Sequence, residues 1–475
     1  MSTQSLPKPI LPARALSPAK AAFYDLFDGA ASPEEMQGAT DFLCGQLDEA
    51  AQIEGDLPAD MNHLVEWMEN GVAEVGEKYR AYLEARQAGA PREYFAGKAS
   101  ALHFIKGVAP TKMVDGAWLY GLLPHWQDPR FASLIQTYLE ELGEGLPSKN
   151  HVVLYRKLLA AQGIEQFDDL SDDHYIQGAI QLALAYNADQ FLPEVIGFNL
   201  GYEQLPLHLL ISAYELKEVG IDPYYFTLHI TVDNADSGHA KKAVDAIFDA
   251  MPRVGSTEDF YRRVQNGYKL NFLGASTNSV IESFDLRNEV LAIFERKGVI
   301  GQYAHSDYRR VAGRTVNDWL SHAEESGDFL TAMEAEGWFK RHQDPQNSRF
   351  WKLIHGERAK MFGVFSAYEQ QVIYDWIAGD ALATLDPKKS AVEAPQVSAE
   401  TKERLRPSPE NGEDFTSKKQ EPSDFSADVR ALEAELSASK NQQDAMNRLI
   451  ALMSPAKHHS GPGLMATRLY REVLG

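Results

Sequence analysis

Apolar residues in this chain recur at intervals of three and four. The spacing is plain in Leu43 and Leu47, in Leu64, Trp67, Met68, Val72 and Val75, in Leu134, Ile135, Tyr138, Leu139 and Leu142, and in Val372, Ile373 and Trp376. That period puts each set on one face of an α-helix, so the pattern predicts an all-α protein. Alternating runs of the β type are short and few; Tyr225–Val232 is the best of them and reads equally as helix or strand. No repeat recurs at a fixed period, and no predicted helix is long enough to demand a coiled coil.

The helical pattern lapses at both ends of a long central region. Residues 1–20 are rich in Pro, Ser and Ala, lack an apolar signal core, and read as a flexible N-terminal arm. Residues 386–426 carry Pro387, Pro395, Pro407, Pro409 and Pro422 among many Lys, Glu and Ser, with Phe415 and Phe425 as their aromatics. Such a composition buries too little apolar surface to order itself and predicts a disordered linker. Between them, residues 21–385 form the predicted helical domain. Residues 427–475 follow as an amphipathic helical tail, marked by Val429, Leu432, Leu436, Met446, Leu449 and Met453 and broken by Pro, Gly and His from Ala456 to Gly463. The tail has a face to dock on the body or on a protein partner. His458-His459 within it reads as an exposed, flexible pair.

Composition narrows the function. At 475 residues, 44% hydrophobic and 10% aromatic, the chain builds full-sized cores, and global disorder is excluded. With 46 Lys and Arg against 68 Asp and Glu the net charge is -22, which repels phosphate backbones and argues against nucleic acid. No apolar run approaches the roughly 18–20 residues of a membrane-spanning helix. The single cysteine, Cys44, excludes an intramolecular disulfide, a Cys-based zinc site and a Cys-ligated iron–sulfur cluster, and fits a cytoplasmic protein. Any metal must therefore be held by His and carboxylates. A Walker-type phosphate loop, His-Glu-x-x-His and Gly-x-Ser-x-Gly are all absent.

Three segments place such groups where amphipathicity turns them inward. In the first, a helix ends near Gly143 and Gly145, the chain turns through Pro147, and another helix starts near His151. His151 then shares a face with Leu154, Tyr155 and Leu158, as a metal ligand or a hydrogen-bonded core histidine. In the second, Glu203 lies on the stripe of Ile196, Leu200, Leu207 and Leu210. A buried carboxylate costs several kcal/mol unless a cation or strong donors compensate, so a metal or a Tyr, His or Arg partner is required. Nearby, Gly197-x3-Gly201 allows close helix packing. In the third, His229 and Asp233 stand about 40° apart on a helix and can reach one ion, with Asp236 near the same azimuth. His239 joins them only if the helix breaks, and Asn234, Asp236, Ser237 and Gly238 favour a break. The alternative for this segment is a solvated polar face with an Asp–His pair.

These blocks are familiar together. Glu141-Leu-Gly-Glu-Gly through His151, Leu192-Pro-Glu-Val-Ile-Gly-Phe-Asn-Leu-Gly-Tyr-Glu203, and Tyr225-Phe226 leading to His229-x3-Asp233 resemble the haem-oxygenase-like iron-containing redox enzymes. Ala109-Pro110 to Val114-Asp115-Gly116-Ala117-Trp118-Leu119 looks like that family's preceding core helix. The resemblance spans about residues 100–250 and implies a haem-oxygenase-like bundle without haem, here with additional N- and C-terminal helices. It implies a non-haem di-iron centre, often transiently assembled, with two Fe(II) ions that activate dioxygen. Carried over, its ligands are Glu141, His151, Glu203, His229 and Asp233. The family's last ligand is a His three residues after that Asp; here Asp236 holds the place and His239 follows, and His239 is favoured as the ligand with Asp236 as the alternate.

The expected activity is oxidation of a small amine, amino acid or fatty acid by O2. A homodimer is an open assembly state. Tyr202, Tyr225 and Phe226 are expected to be packing residues. The competing reading is a metal-free helical binding or scaffold protein whose His, Asp and Glu form a buried polar network. A haem enzyme of the same fold, with His103 as its only early ligand candidate, ranks below both. The discriminator is whether Lys or Arg fills the space between the carboxylates.

Overall fold

A computed structural model describes residues 16–29, 32–232, 238–301, 305, 308–356, 359–384 and 427–474. The architecture is all-α. The helices that build the site region are α1 (Pro18–Phe27), α2 (Pro33–Ala50), α3 (Leu64–Gln87), α4 (Lys98–Gly107), α5 (Ala109–Lys112), α6 (Ala132–Glu141), α7 (His151–Ala161), α8 (Asp173–Asn187), α9 (Leu192–Tyr202), α10 (Leu207–Glu218), α11 (Tyr224–Val232), α12 (His239–Asp249) and α13 (Thr257–Lys269). A two-residue hairpin, Arg310–Val311 against Arg314–Thr315, is the β structure among the described residues. Tyr225–Val232 is helical, so its alternation of apolar residues was no strand signal: Tyr225 and Phe226 are both buried, one against the site and one in the core.

At the centre lies α8, whose Tyr175, Ala179, Ile180, Leu182, Ala183 and Leu184 are completely buried. Around it pack α1, α2, α5 and a 3₁₀ segment, Ala117–His125. The first helix starts at Pro18, inside the predicted arm. Asp172 explains this, because it accepts hydrogen bonds from Ser17 Oγ and from the backbone N–H groups of Ala19 and Lys20, capping the new helix. Helices α9 and α13 approach so closely that a Cβ on Gly197 would strike the Val264 carbonyl and one on Gly267 the Glu194 carbonyl. Gly197 thus serves backbone contact, while Gly201 makes room for the side chains of Asn271 and Tyr268 just before Glu203.

Residues 386–426 lie outside the described part. The tail re-enters as helices Ala427–Ser437, Gln442–Leu452 and Gly461–Leu474, the last beginning inside the segment expected to be a break. Met446, Leu449, Met453 and Tyr470 are buried in the main core. The Tyr138 hydroxyl donates to the Met453 carbonyl at 2.6 Å and Tyr470 to that of Leu123 at 2.8 Å, so the body receives this face. His458 is 2% exposed, contrary to the exposed pair expected. No helix among the described residues is long and apolar enough to cross a membrane.

Candidate metal centre

The inward-facing acids and histidines arrive at one place from six separate stretches of chain. Asp115 follows α5 in a turn closed by Gly116, whose φ is 81°. A Cβ there would collide with the side chain of Glu141, so glycine is what lets Glu141, the last residue of α6, come alongside Asp115. His151 opens α7, held by Asn150, whose side chain caps that helix. Glu203 lies one residue beyond α9, His229 on α11, and His239 at the start of α12 after the expected break. Asp233 and Asp236 lie outside the described residues.

Two sets of donor atoms result. Asp115, Glu141, His151 and His229 form one, Glu141, Glu203 and His239 the other; within each set the atoms lie within 4.8 Å of one another, and all these residues are buried. Glu141 belongs to both. Its Oε2 is 2.6 Å from His151 Nδ1 and its Oε1 is 3.5 Å from His239 Nδ1. One carboxylate therefore spans the two sets, the role a bridging ligand plays between paired metal ions.

The histidine orientations are informative. His229 Nδ1 donates to the Tyr225 carbonyl at 2.9 Å, and its Nε2 points at Asp115 Oδ2, 3.1 Å away. With Nδ1 carrying the proton, Nε2 presents a lone pair to a carboxylate, an arrangement that a cation between them would relieve. His239 Nε2 faces Glu140 Oε2 at 2.7 Å, leaving Nδ1 toward Glu203 Oε2 at 2.9 Å. Glu140 is itself gripped by Lys242 and Gln136. His151 and His229 lie with ring centres 4.2 Å apart.

Burial and charge oppose each other throughout. Burial favours neutral carboxyls, yet Lys112 and the neighbouring His151 and His229 rings hold Asp115 well below the usual range. Burial likewise disfavours the His151 cation, but Glu141 and Asp115 overcome it and push its pKa up to about 10. For Glu203 burial wins and raises the carboxyl, because His239 offsets it only in part and Glu141 and Asp115 add to it. Within the two donor sets, His151 Nδ1 and Glu203 Oε1 are buried atoms with no hydrogen-bond partner among the described residues. His151 Nδ1 is close to Glu141 without the alignment of a hydrogen bond. Orphaned donors in a nest of carboxylates and imidazoles fit a divalent metal with a taste for oxygen and nitrogen, iron(II) or manganese(II) before copper or zinc.

Asp115 was not anticipated as part of the site, although a lone acid in the otherwise apolar run Met113–Leu123 was the available signal. Nor was its support. The Tyr202 hydroxyl donates to Oδ1 and the Tyr225 hydroxyl to Oδ2, each at 2.6 Å, so these tyrosines hold the site rather than merely packing beside it. Lys112 donates to the Tyr202 oxygen at 2.7 Å and stands 3.6 Å from Asp115. A cavity of about 470 Å³ borders the first set through His229, Tyr202 and Tyr225; Phe226, His208 and Ser212 line it further out. His103 bonds Ser283 at 3.1 Å and packs on Phe284, and it belongs to neither set.

A comparison with known proteins now bears on this arrangement. Residues 102–271 match the sequence profile of a family described as iron-containing redox enzymes. The matched stretch holds every donor named above, and the match supports a likeness of this helical bundle and its buried cluster to the haem-oxygenase-like iron-containing redox enzymes. No curated protein and no solved structure matches the chain.

Proposed function

We propose that this chain is a non-haem di-iron oxidase or oxygenase that uses O2 to oxidise a small organic substrate, an amine, amino acid or fatty acid. The observation that carries the reading is Glu141, whose two oxygens face two different donor sets in a family of iron-containing redox enzymes. On this reading Asp115, Glu141, His151 and His229 would hold one iron(II), and Glu141, Glu203 and His239 would hold the other. His239 takes the role in preference to Asp236, and Asp233 is a further ligand on sequence grounds alone. The ions supply the electrons and the open coordination positions that dioxygen requires.

The chain's own residues do the rest. Tyr202 and Tyr225 orient the two oxygens of Asp115, Glu140 holds His239 by Nε2, and the Tyr225 carbonyl holds His229 by Nδ1. The cavity beside His229 receives the substrate, with Phe104, Val108 and Phe226 keeping water from its apolar end. Burial lowers the His208 pKa to about 4, so this wall presents a neutral imidazole at physiological pH. A cytoplasmic location accords with the single cysteine.

Anaerobic titration with iron(II), followed by mixing with oxygenated buffer, tests the proposal. Uptake of two equivalents and consumption of oxygen are expected. No iron uptake, or bound iron that consumes no oxygen, overturns it. One observation favours the metal-free network instead: Lys112 already offers Asp115 a positive charge at 3.6 Å.

A further inference from the structure

The loop between the two ligand-bearing ends of α6 and α7 is short, and its conformation is costly. Gly143, Glu144 and Gly145 all have positive φ, at 62°, 52° and 79°. For Glu144, a residue with a Cβ, that is a left-handed conformation that surrounding contacts must hold in place. One side of the loop packs on Asn150, where a Cβ on Gly143 would strike backbone. The other side packs on the C-terminal tail, where a Cβ on Gly145 would strike the Leu464 carbonyl.

Asn150 ties these parts together and is completely buried. Its Oδ1 accepts from the Val153 N–H at 3.0 Å and caps α7 one residue before His151. Its amide nitrogen donates to the Leu142 carbonyl at 3.1 Å, one residue after Glu141. The remaining amide hydrogen points to His458 Nδ1, also at 3.1 Å. An amide has two hydrogens, and here each has one acceptor. His458 must accept through Nδ1, and burial keeps the ring neutral by holding its pKa well below the ordinary value. Arg471, further along the tail, reaches Glu144 at 3.2 Å. The tail thus touches the loop at Glu144, at Gly145 and through Asn150.

We infer that His458 is a positioning residue for the metal centre: acting through Asn150, the C-terminal tail sets the separation of Glu141 and His151. This rests on the metal-centre reading above. Without the His458 acceptor, one amide hydrogen of Asn150 is left unpaired in the core, and the side chain turns to find a partner. Either the Leu142 bond or the α7 cap is then lost, and the two ligands move relative to each other.

The test uses the full chain and Co(II) as an oxygen-insensitive probe, read by its visible absorbance. His458→Ala is expected to weaken Co(II) binding at least about tenfold, as loss of outer support does at metal sites, with helical content unchanged. His458→Asn, which restores a neutral acceptor near Nδ1, is expected to bring affinity back to within about threefold of the parent. Parental affinity in His458→Ala, or an Asn variant as weak as the Ala variant, overturns the inference while leaving the metal centre standing. A parent chain that takes up no Co(II) removes both. Should His458→Ala fail to fold, His458→Leu fills the space without an acceptor and is judged by the same criteria.

Discussion

Glu203 and Glu215 lie on consecutive helical stretches and are both buried, at 3% and 0% exposure, yet their surroundings differ in kind. Glu215 is met by neutral donors from a distant part of the chain. The Tyr82 hydroxyl and the Glu93 N–H donate to its Oε1 at 2.8 and 2.5 Å, and the N–H groups of Tyr94 and Phe95 donate to Oε2 at 2.9 Å each. Glu203 has His239 on Oε2 and no hydrogen-bond partner among the described residues on Oε1, with Glu141 and Asp115 adding negative charge nearby. A buried carboxylate is therefore no metal signature by itself. The signature is a carboxylate that the protein buries and then declines to satisfy.

The largest effects that test this contrast are on metal content. Glu141→Gln removes the shared ligand and is expected to lose both iron equivalents, whereas Glu203→Gln keeps one. Metal analysis after anaerobic loading and desalting reads the ratio, and unchanged ratios in both variants sink the bridging role. In the metal-free chain, Glu203→Gln should melt no lower than the parent, since it removes a buried charge that His239 compensates only in part.

Glu215→Gln should behave in the opposite way. Its single oxygen cannot serve donors that approach both carboxylate oxygens, so an amide N–H₂ faces backbone N–H groups. A loss of roughly 3 kcal/mol in urea unfolding is expected, with iron stoichiometry intact. Loss of iron without loss of stability would erase the distinction between the two sites.

Asp375 stands between these extremes. It is buried and accepts from the Ala99 N–H and from Gln371, each at 2.7 Å. Burial outweighs these donors and Lys98, raising its pKa to about 6. A carboxyl raised above its unfolded value of about 3.9 lends stability that is fully present below pH 4 and is lost as pH climbs through 6. The loss amounts to about 3 kcal/mol for some two pKa units. Asp375→Asn should flatten this part of the profile, measured as the difference from the parent in urea midpoints between pH 4 and 7. A parallel profile in the variant places the titration elsewhere.

How much of this was legible in the sequence depends on where the information lies. Helices α6 and α7 follow from the three-and-four spacing of Leu134–Leu142 and of His151, Leu154, Tyr155 and Leu158, because each has one face against the core. Glu203 stood out as an acid on an apolar stripe. Glu215 lies in the same region, but the groups that satisfy it come from residues 82 and 93–95, and no local pattern reports them. Asp115 escaped because it sits in a turn before a 3₁₀ segment, where no helical period assigns a face. His458 was misread for a related reason. A stretch rich in Pro, Gly and His resembles loop, and only long-range docking buries it. The family resemblance placed Glu141 and His239 together, which spacing alone left open.

The smallest expected effect is the one that best separates the two functional readings. Lys112 is about one-fifth exposed and stands 3.6 Å from the buried Asp115. If metal ions supply the positive charge, Lys112 merely competes with them. Lys112→Met should then tighten iron(II) or cobalt(II) binding by about two- to fivefold, and leave the melting temperature of the loaded chain unchanged. If the cluster is a metal-free network, Lys112 is the ammonium that balances Asp115. The same substitution should then lower stability, most visibly above neutral pH where His151 begins to lose its proton, and no metal should reverse the loss. Opposite signs in one variant make even a small shift decisive.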